Sequence, residues 1–232
     1  MVTRAVFFDL GGTLLVMRRS RIFRAVINEA GRDAPLHVID GAYMGLEGWW
    51  LSTYAAVPMT PGETDEAYRR LYEKVFSSLF PDADQAEALR VSRRVRERWP
   101  VLEKNVPLEL YQDVEPTLGE LKRRGYALGL ISNAPADTER IVGPLGLDRY
   151  MSNFVFSGVV GYTKPHPEIF NIALRRAGAK PEESVHVGDL YEADVVGARN
   201  AGMKGLLIDR TGTGGDADCP TISNLGQIYA HL

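Results

Sequence analysis

Short runs of apolar residues with almost no polar interruption constrain the fold of this 232-residue chain more than any other feature. A strand with one face in water alternates apolar and polar residues, whereas a strand covered on both faces is apolar throughout. The runs therefore predict parallel strands in a sheet with helices on both sides. They occupy 5–10, 127–131, 184–187 and 205–208, with a weaker candidate at 153–157.

Stretches with helical periodicity separate these runs. The first ends in a basic turn followed by Gly125, and the third opens with Pro167 and closes at Gly178, which are typical helix boundaries. Strands and helices that alternate in this way predict an α/β fold with a doubly wound, mainly parallel, Rossmann-like sheet. The predicted helices are 115–124, 137–145, 167–177, 194–201 and 223–232.

The segment from 17 to 106 has helical periodicity and contains no run of the buried-strand type. Thr60 has the spacing of a capping residue at a helix start, and Ala67 and Leu71 begin an apolar stripe after it. We therefore predict an all-helical domain, 17–106, inserted into an α/β core formed by 1–16 and 107–232.

Composition argues against several classes of protein. The net charge of −3 and the absence of a basic stripe give no reason to expect a nucleic-acid partner. A single cysteine, Cys219, rules out an intrachain disulfide and fits a reducing compartment. The apolar segment 5–17 carries Asp9 near its centre and lacks a small-residue cleavage site, and no run is long enough to span a bilayer. We expect a cytoplasmic protein with no membrane partner.

Polar side chains follow three of the predicted strands at the point where each strand ends. Asp9 ends the first run, Ser132 and Asn133 follow the second, and Asp189 follows the run at 184–187. Ligands of open parallel sheets bind outside the carboxyl ends of the strands. Two carboxylates and a hydroxyl at one edge therefore predict a site there.

These residues also carry a resemblance to a known family. Four motifs of the haloacid dehalogenase superfamily have counterparts here, in the family's order and across most of the chain. The counterparts are Phe7-Phe8-Asp9-Leu10-Gly11-Gly12-Thr13-Leu14, Leu130-Ile131-Ser132-Asn133, Lys164 in Gly161-Tyr162-Thr163-Lys164-Pro165, and Gly188-Asp189 with Asp194. The helical insertion after the first motif resembles the helical cap of this superfamily.

The resemblance implies a magnesium-dependent phosphoric monoester hydrolase. Asp9 would attack phosphorus and form an aspartyl phosphate, with Lys164 and Ser132 binding the phosphoryl group. A carboxylate that attacks a phosphate dianion needs a divalent cation, and Mg²⁺ prefers oxygen ligands. The resemblance assigns the metal site to Asp9, the Gly11 carbonyl, Asp189 and Asp194, where Asp194 holds metal-bound water or orients Lys164. It assigns substrate binding to Thr13, Ser132, Asn133 and Lys164, and a small phosphorylated metabolite as the substrate.

One position departs from the family pattern. Phosphatases of this superfamily usually carry a second aspartate two residues after the nucleophile, where this chain has Gly11. That aspartate is a general acid and base, a role worth about 10²–10⁴-fold in rate. Three explanations stay open: substrates with good leaving groups, a proton from water or a cap residue such as Glu47 or Tyr54, or a low-turnover phosphoryl-binding, regulatory protein.

Rival functions share some of these features. The 2-haloacid dehalogenases also lack the second aspartate, but they use no metal, and the pair Asp189 and Asp194 argues for a cation. Phosphonate-cleaving relatives rely on a cap lysine that is not recognisable here, and an interaction module would not need such a charge cluster. The individual residues also have local interpretations as helix caps, turn residues or a loop lysine.

Overall fold

The computed structural model describes residues 3–16, 18–54, 61–212 and 217–232. These residues form two compact units. One unit comprises the chain up to Val16 together with Leu108–Leu232, and the other lies between them along the chain.

The first unit is built on a sheet that contains six strands among the described residues, all paired in parallel. The strand order is β3-β2-β1-β4-β5-β6, so β1 lies between β2 and β4. This fold confirms the predicted α/β class with a Rossmann-like sheet. The strands are β1 (Ala5–Phe8), β2 (Ala127–Ser132), β3 (Asn153–Phe156), β4 (Ser184–Gly188), β5 (Lys204–Ile208) and β6 (Thr221–Ile222).

Both faces of this sheet are buried, which explains why the strand runs are apolar throughout. Val6 and Phe8 contribute to the core on one face, and Ala5 and Phe7 contribute to the core on the other. Helix α6 (Val114–Arg123) packs in the first core, and α8 (Pro167–Ala177) and α9 (Gly197–Asn200) pack in the second. The fully buried phenylalanines each bury enough apolar area to contribute about 1.5–3 kcal/mol.

Three predicted helices take other forms. The segment 137–145 forms a 3₁₀ helix only at Ala136–Ile141, because Gly143, Pro144 and Gly146 interrupt helical structure beyond it. The segment 223–232 is a 3₁₀ helix at Leu225–His231 rather than an α-helix. The segment 194–201 lies in a π-helical turn, Tyr191–Val196, followed by α9. A short helix α7 (Ser157–Val160) follows β3.

The second unit is helical. Its helices are α1 (Arg18–Glu29), α2 (Leu36–Met44), α3 (Glu47–Tyr54), α4 (Pro61–Leu79) and α5 (Gln85–Asn105). They enclose a core of their own that includes Phe23, Ile27, Phe76 and Val95. The predicted stripe on α4 is confirmed at Ala67 and Leu71, which are buried, whereas the predicted cap Thr60 lies outside the described residues.

The chain leaves and re-enters the first unit at adjacent points. Leu15 pairs antiparallel with Leu110, the Val16 amide donates to the Glu109 carbonyl at 2.8 Å, and the Tyr111 amide donates to the Leu14 carbonyl at 3.0 Å. The outgoing and returning segments thus run side by side as a narrow ribbon. Among the described residues, none of the helices combines the length and the apolar character needed to cross a bilayer.

Candidate active site

Three neighbouring strands bring the predicted side chains to one edge of the sheet. Asp9 follows β1, Ser132 ends β2, and Asp189 follows β4. The chain moves from β1 to β2 and β3 on one side and then returns to β4 and β5 on the other. The site therefore lies at the switch point of the sheet, where open α/β folds bind ligands.

Lys164 holds two carboxylates together. Its Nζ lies 2.6 Å from Asp9 Oδ1 and 2.5 Å from Asp194 Oδ1, and its side chain is 3% exposed. These are charge-assisted hydrogen bonds in a site shielded from water, where electrostatic interactions are strong. The lysine thus fixes the carboxylate of Asp9, the residue predicted to be the nucleophile.

Asn133 holds the main chain of Lys164. Its Oδ1 accepts from the Lys164 amide at 2.7 Å, and its Nδ2 donates to the Lys164 carbonyl at 2.9 Å. Asn133 was predicted to bind substrate, but these two bonds commit its amide to the lysine loop. The structure therefore gives it a role in placing Lys164.

Asp194 is fully engaged by protein groups. Its Oδ1 accepts from Lys164 and from His186 Nε2, the latter at 2.9 Å, and its Oδ2 accepts from the Leu190 amide at 3.0 Å. These contacts place Asp194 beside Lys164, and its role in orienting that lysine stays a prediction. His186 was not predicted as a site residue, although it and Ser184 are the two polar side chains of the strand β4. It is buried, and its ring packs edge-on against Phe170.

The carboxylates of Asp9, Asp189 and Asp194 converge closely enough to share a cation. Each offers an oxygen, and these atoms all lie within 4.8 Å of one another. Thr13 was predicted to bind substrate or to orient the nucleophile, but its hydroxyl lies 3.5 Å from Asp189 Oδ1, as a donor. Thr13 therefore contacts the carboxylate that follows β4.

Burial and charge shift the protonation equilibria of this cluster. Burial raises the pKa of Asp9, and Asp194 adds to that effect while Lys164 opposes it. Burial alone would raise the pKa of Asp194 and lower that of Lys164, but their mutual attraction outweighs it, so the pKa of Asp194 is lowered and that of Lys164 is raised. Burial lowers the pKa of His186, which keeps its ring neutral, so Nε2 carries the proton donated to Asp194.

Two glycines make room for the acids. A β-carbon at Gly12 would lie 2.7 Å from Asp189 Cγ, and Gly12 has φ +79°, a conformation that other residues rarely adopt. A β-carbon at Gly188 would collide with the carboxylate of Asp194. The glycines of the first and fourth motifs thus leave space that the two carboxylates fill.

Ser132 differs from its neighbours in having a free hydroxyl. It is 5% exposed, and its hydroxyl makes no hydrogen bond within the described part of the chain. Gly11 pairs with Leu15 in an isolated bridge and has no side chain with which to act on a ligand. Among the predicted substrate-binding residues, Ser132 and Lys164 keep donor capacity for a ligand.

The fold and the site together are those of a hydrolase built on a Rossmann-like parallel sheet, whose candidate nucleophile is a carboxylate at the carboxyl end of the first strand. The model of the haloacid dehalogenase-like hydrolase family matches residues 3–202. The chain therefore belongs to the haloacid dehalogenase-like hydrolase family.

Individual relatives include proteins named as phosphatases. The chain is 35% identical over 220 residues to a phosphoserine phosphatase from Thermus thermophilus, which covers 90% of this chain and 82% of that protein. It is 40% identical over 113 residues to a glyceraldehyde 3-phosphate phosphatase from Methanothermobacter thermautotrophicus. That match covers 48% of this chain and half of the relative.

Solved structures of both phosphatases and dehalogenases resemble the fold. A phosphatase of this family from Thermococcus onnurineus has a TM-score of 0.58 at 26% identity, covering 99% of this chain and 98% of that chain. A 2-haloacid dehalogenase from Pseudomonas syringae has a TM-score of 0.56, also at 26% identity, covering 99% and 97%. Overall structural similarity therefore does not separate the two chemistries, and the side chains of the site must do so.

Proposed function

We propose that the protein is a magnesium-dependent phosphoric monoester hydrolase that acts on a small phosphorylated metabolite through a phosphorylated Asp9. The observation that carries this proposal is the convergence of three buried carboxylates, two of which pair with Lys164. We further propose that it acts in the cytoplasm and that residues 17–106 form a cap domain that contributes to substrate choice.

The charge of the cluster supports a divalent cation. With Asp9, Asp189 and Asp194 ionised and Lys164 protonated, the group carries a net charge of −2, and such a charge is costly to bury without compensation. The donors are carboxylate oxygens, which suit Mg²⁺. Asp9, Asp189 and the Gly11 carbonyl would hold the Mg²⁺ ion. Asp194 would support the site without binding the ion directly, because its carboxylate already accepts from Lys164, His186 and Leu190. A bound Mg²⁺ would offset the repulsion between the nucleophile and the phosphate dianion.

Asp9, Lys164 and Ser132 have separate roles in the proposed reaction. An oxygen of Asp9 attacks phosphorus, and the bond from phosphorus to the ester oxygen breaks. Lys164 and the free hydroxyl of Ser132 donate hydrogen bonds to the phosphoryl oxygens, where negative charge accumulates. Attack by water on the phosphorus of the aspartyl phosphate releases phosphate and regenerates the Asp9 carboxylate.

The site lacks a side chain at position 11 that could transfer a proton to the leaving group. Gly11 offers no acid, so the proposal favours esters whose leaving oxygen needs little protonation, or a proton supplied by water or by the cap. Tyr54 packs against Trp49 and Trp50 within the helical unit, and the side chain of Glu47 lies outside the described residues. If missing acid catalysis limits turnover, Gly11→Asp raises the rate on alkyl phosphates by about 10²-fold or more and the rate on aryl phosphates by less.

Dehalogenation is the competing chemistry, because displacement of halide needs no acid and would tolerate Gly11. The carboxylate of Asp189 argues against it, since displacement of halide does not set one anion against a phosphate dianion and so needs no additional metal ligand. The similarity to the Thermus phosphoserine phosphatase over 82% of its length also supports phosphate ester hydrolysis.

One assay separates these functions. Purified protein is incubated with and without Mg²⁺ on phosphoserine, glyceraldehyde 3-phosphate and p-nitrophenyl phosphate, and separately with chloroacetate, with Asp9→Asn as the blank. We expect Mg²⁺-dependent phosphate release that Asp9→Asn abolishes. Chloride release without metal would establish dehalogenation instead. If neither phosphate nor chloride is released, a phosphoryl-binding, regulatory role is the function that remains.

A further inference from the structure

Arg210 binds the loop that carries the candidate metal site. It lies two residues beyond β5, and its Nε and Nη2 donate to the Thr13 carbonyl at 3.1 and 2.7 Å. The adjacent edge of the guanidinium pairs with Asp113, with Nη1 and Nη2 at 3.0 and 3.1 Å from the two carboxylate oxygens. A single side chain thus joins the loop after β1 to the start of α6.

The partners of Arg210 are themselves fixed. The guanidinium carbon lies 3.8 Å from the ring centroid of Tyr111, whose amide donates to the Leu14 carbonyl. Asp113 Oδ2 also accepts from the Leu225 amide at 2.7 Å. The carbonyls of Thr13 and Leu14 are therefore both held by one cluster, which we call the Arg210 clamp and define as Tyr111, Asp113 and Arg210.

Stability alone is a poor explanation for this cluster. The side chains of Arg210 and Asp113 are only 11% and 22% exposed. Taking such a pair out of water offsets much of its attraction, and apolar residues of similar size often serve stability as well. A planar guanidinium, however, donates to two acceptors in fixed directions while it stacks on a ring, which a lysine cannot do. The geometry therefore suits positioning.

We propose that Arg210 is a positioning residue for the loop that carries Gly11, Gly12 and Thr13. The inference rests on the proposed function. The Thr13 hydroxyl contacts Asp189, Gly12 leaves room for that carboxylate, and the Gly11 carbonyl is a candidate metal ligand. By holding the Thr13 carbonyl, Arg210 keeps these groups in register with Asp9 and Asp189.

The test compares Arg210→Lys with a matched control. Arg124→Lys is the control, because Arg124 also pairs with an acid, Glu120, and lies over a ring, that of Tyr229, but it does not contact the loop. Arg210→Ala assayed with and without added guanidinium chloride supplies a second variant. Melting temperatures first establish that each variant is folded.

Three readouts apply to the Arg210→Lys variant. Hydrogen exchange of the segment 10–15 should accelerate by about tenfold or more, because its amides become free to open locally. The kcat should fall by about 10–100-fold with little change in KM, as expected for a misplacement near 1 Å. The Mg²⁺ concentration for half-maximal activity should rise, and guanidinium should partly restore the kcat of Arg210→Ala.

Outcomes that overturn the inference are equally defined. If a folded Arg210→Lys variant keeps the hydrogen exchange, kcat and Mg²⁺ dependence of the wild type, the Arg210 clamp contributes only packing and the inference is wrong. The same holds if Arg124→Lys loses as much kcat as Arg210→Lys. If the wild-type protein releases no phosphate, the proposed function fails. Hydrogen exchange of 10–15 and calorimetric titration with Mg²⁺ alone then still decide whether Arg210 positions the loop.

Discussion

Replacing Gly12 with alanine should damage the site far more than the fold. A β-carbon there would lie 2.7 Å from Asp189 Cγ and closer still to Oδ2, whereas ordinary contacts begin at 3.4 Å. The carboxylate must therefore move by roughly 1 Å, and misplacement on that scale costs about 10²-fold in rate. The stability cost is smaller: a positive φ costs alanine about 1–2 kcal/mol.

Gly125→Ala provides the control that separates these effects. Gly125 has φ +85°, and a β-carbon there would meet nothing within 4 Å, so the variant carries the backbone cost without the collision. Both variants should melt about 2–8 °C below the wild type, given about 2–4 °C per kcal/mol for a chain of this size.

Steady-state phosphate release over a Mg²⁺ series, with differential scanning calorimetry, measures both effects. We expect Gly12→Ala to lose about 100-fold in kcat or more and to need more Mg²⁺ for half-maximal rate, while Gly125→Ala keeps wild-type kinetics. The reasoning is refuted if Gly12→Ala retains the kcat and Mg²⁺ dependence of Gly125→Ala at equal stability.

Three further predictions concern charge. Lys164→Met removes the cation that pairs with the buried carboxylates of Asp9 and Asp194. Urea denaturation in the presence of chelator should therefore show a loss of about 3–5 kcal/mol in the free energy of unfolding. Lys122→Met should show no such loss, because Lys122 is exposed and donates to the Arg149 carbonyl. Mg²⁺ at 100 times its dissociation constant should add about 2.7 kcal/mol to wild-type stability; an equal gain in Asp189→Asn would contradict the metal assignment. Burial raises the pKa of Asp40 above 3.8, so its ionised form is penalised in the folded state and wild-type stability falls as pH rises through the folded pKa. Asp40→Asn should therefore be stabilising at pH 7 and neutral near pH 3, whereas Asp33→Asn, which removes a carboxyl whose pKa Arg24 lowers, should be destabilising at pH 7.

The sheet was predictable because burial on both faces leaves an unambiguous pattern. The strands β1, β2, β4 and β5 coincide with the apolar runs to within one or two residues. The strand β6 has only two residues and exists because Leu207 and Ile208 pair with it, so no local pattern could indicate it. The 3₁₀ segment Ala136–Ile141 has helical spacing, and the glycines and proline after it decide its form.

The site was predictable where a motif carried the chemistry, and less so where packing did. Lys164 and Asp9 are 155 positions apart, yet the order of the motifs predicted that both belong to one site. His186 is part of an apolar strand, and only the fold turns its ring toward Asp194. Arg210 and Thr13 are 197 positions apart and share no motif, so nothing local indicates that they bind.

The ribbon formed by Leu15 with Leu110 and by Val16 with Glu109 has a consequence for how the chain can change. Because the two crossing points are one hydrogen bond apart, a tight turn of about two to five residues would suffice to join them. The pairing of the two crossing points does not depend on the helical segment, so we expect a chain in which that segment is shortened or exchanged to keep the strand registers of the sheet.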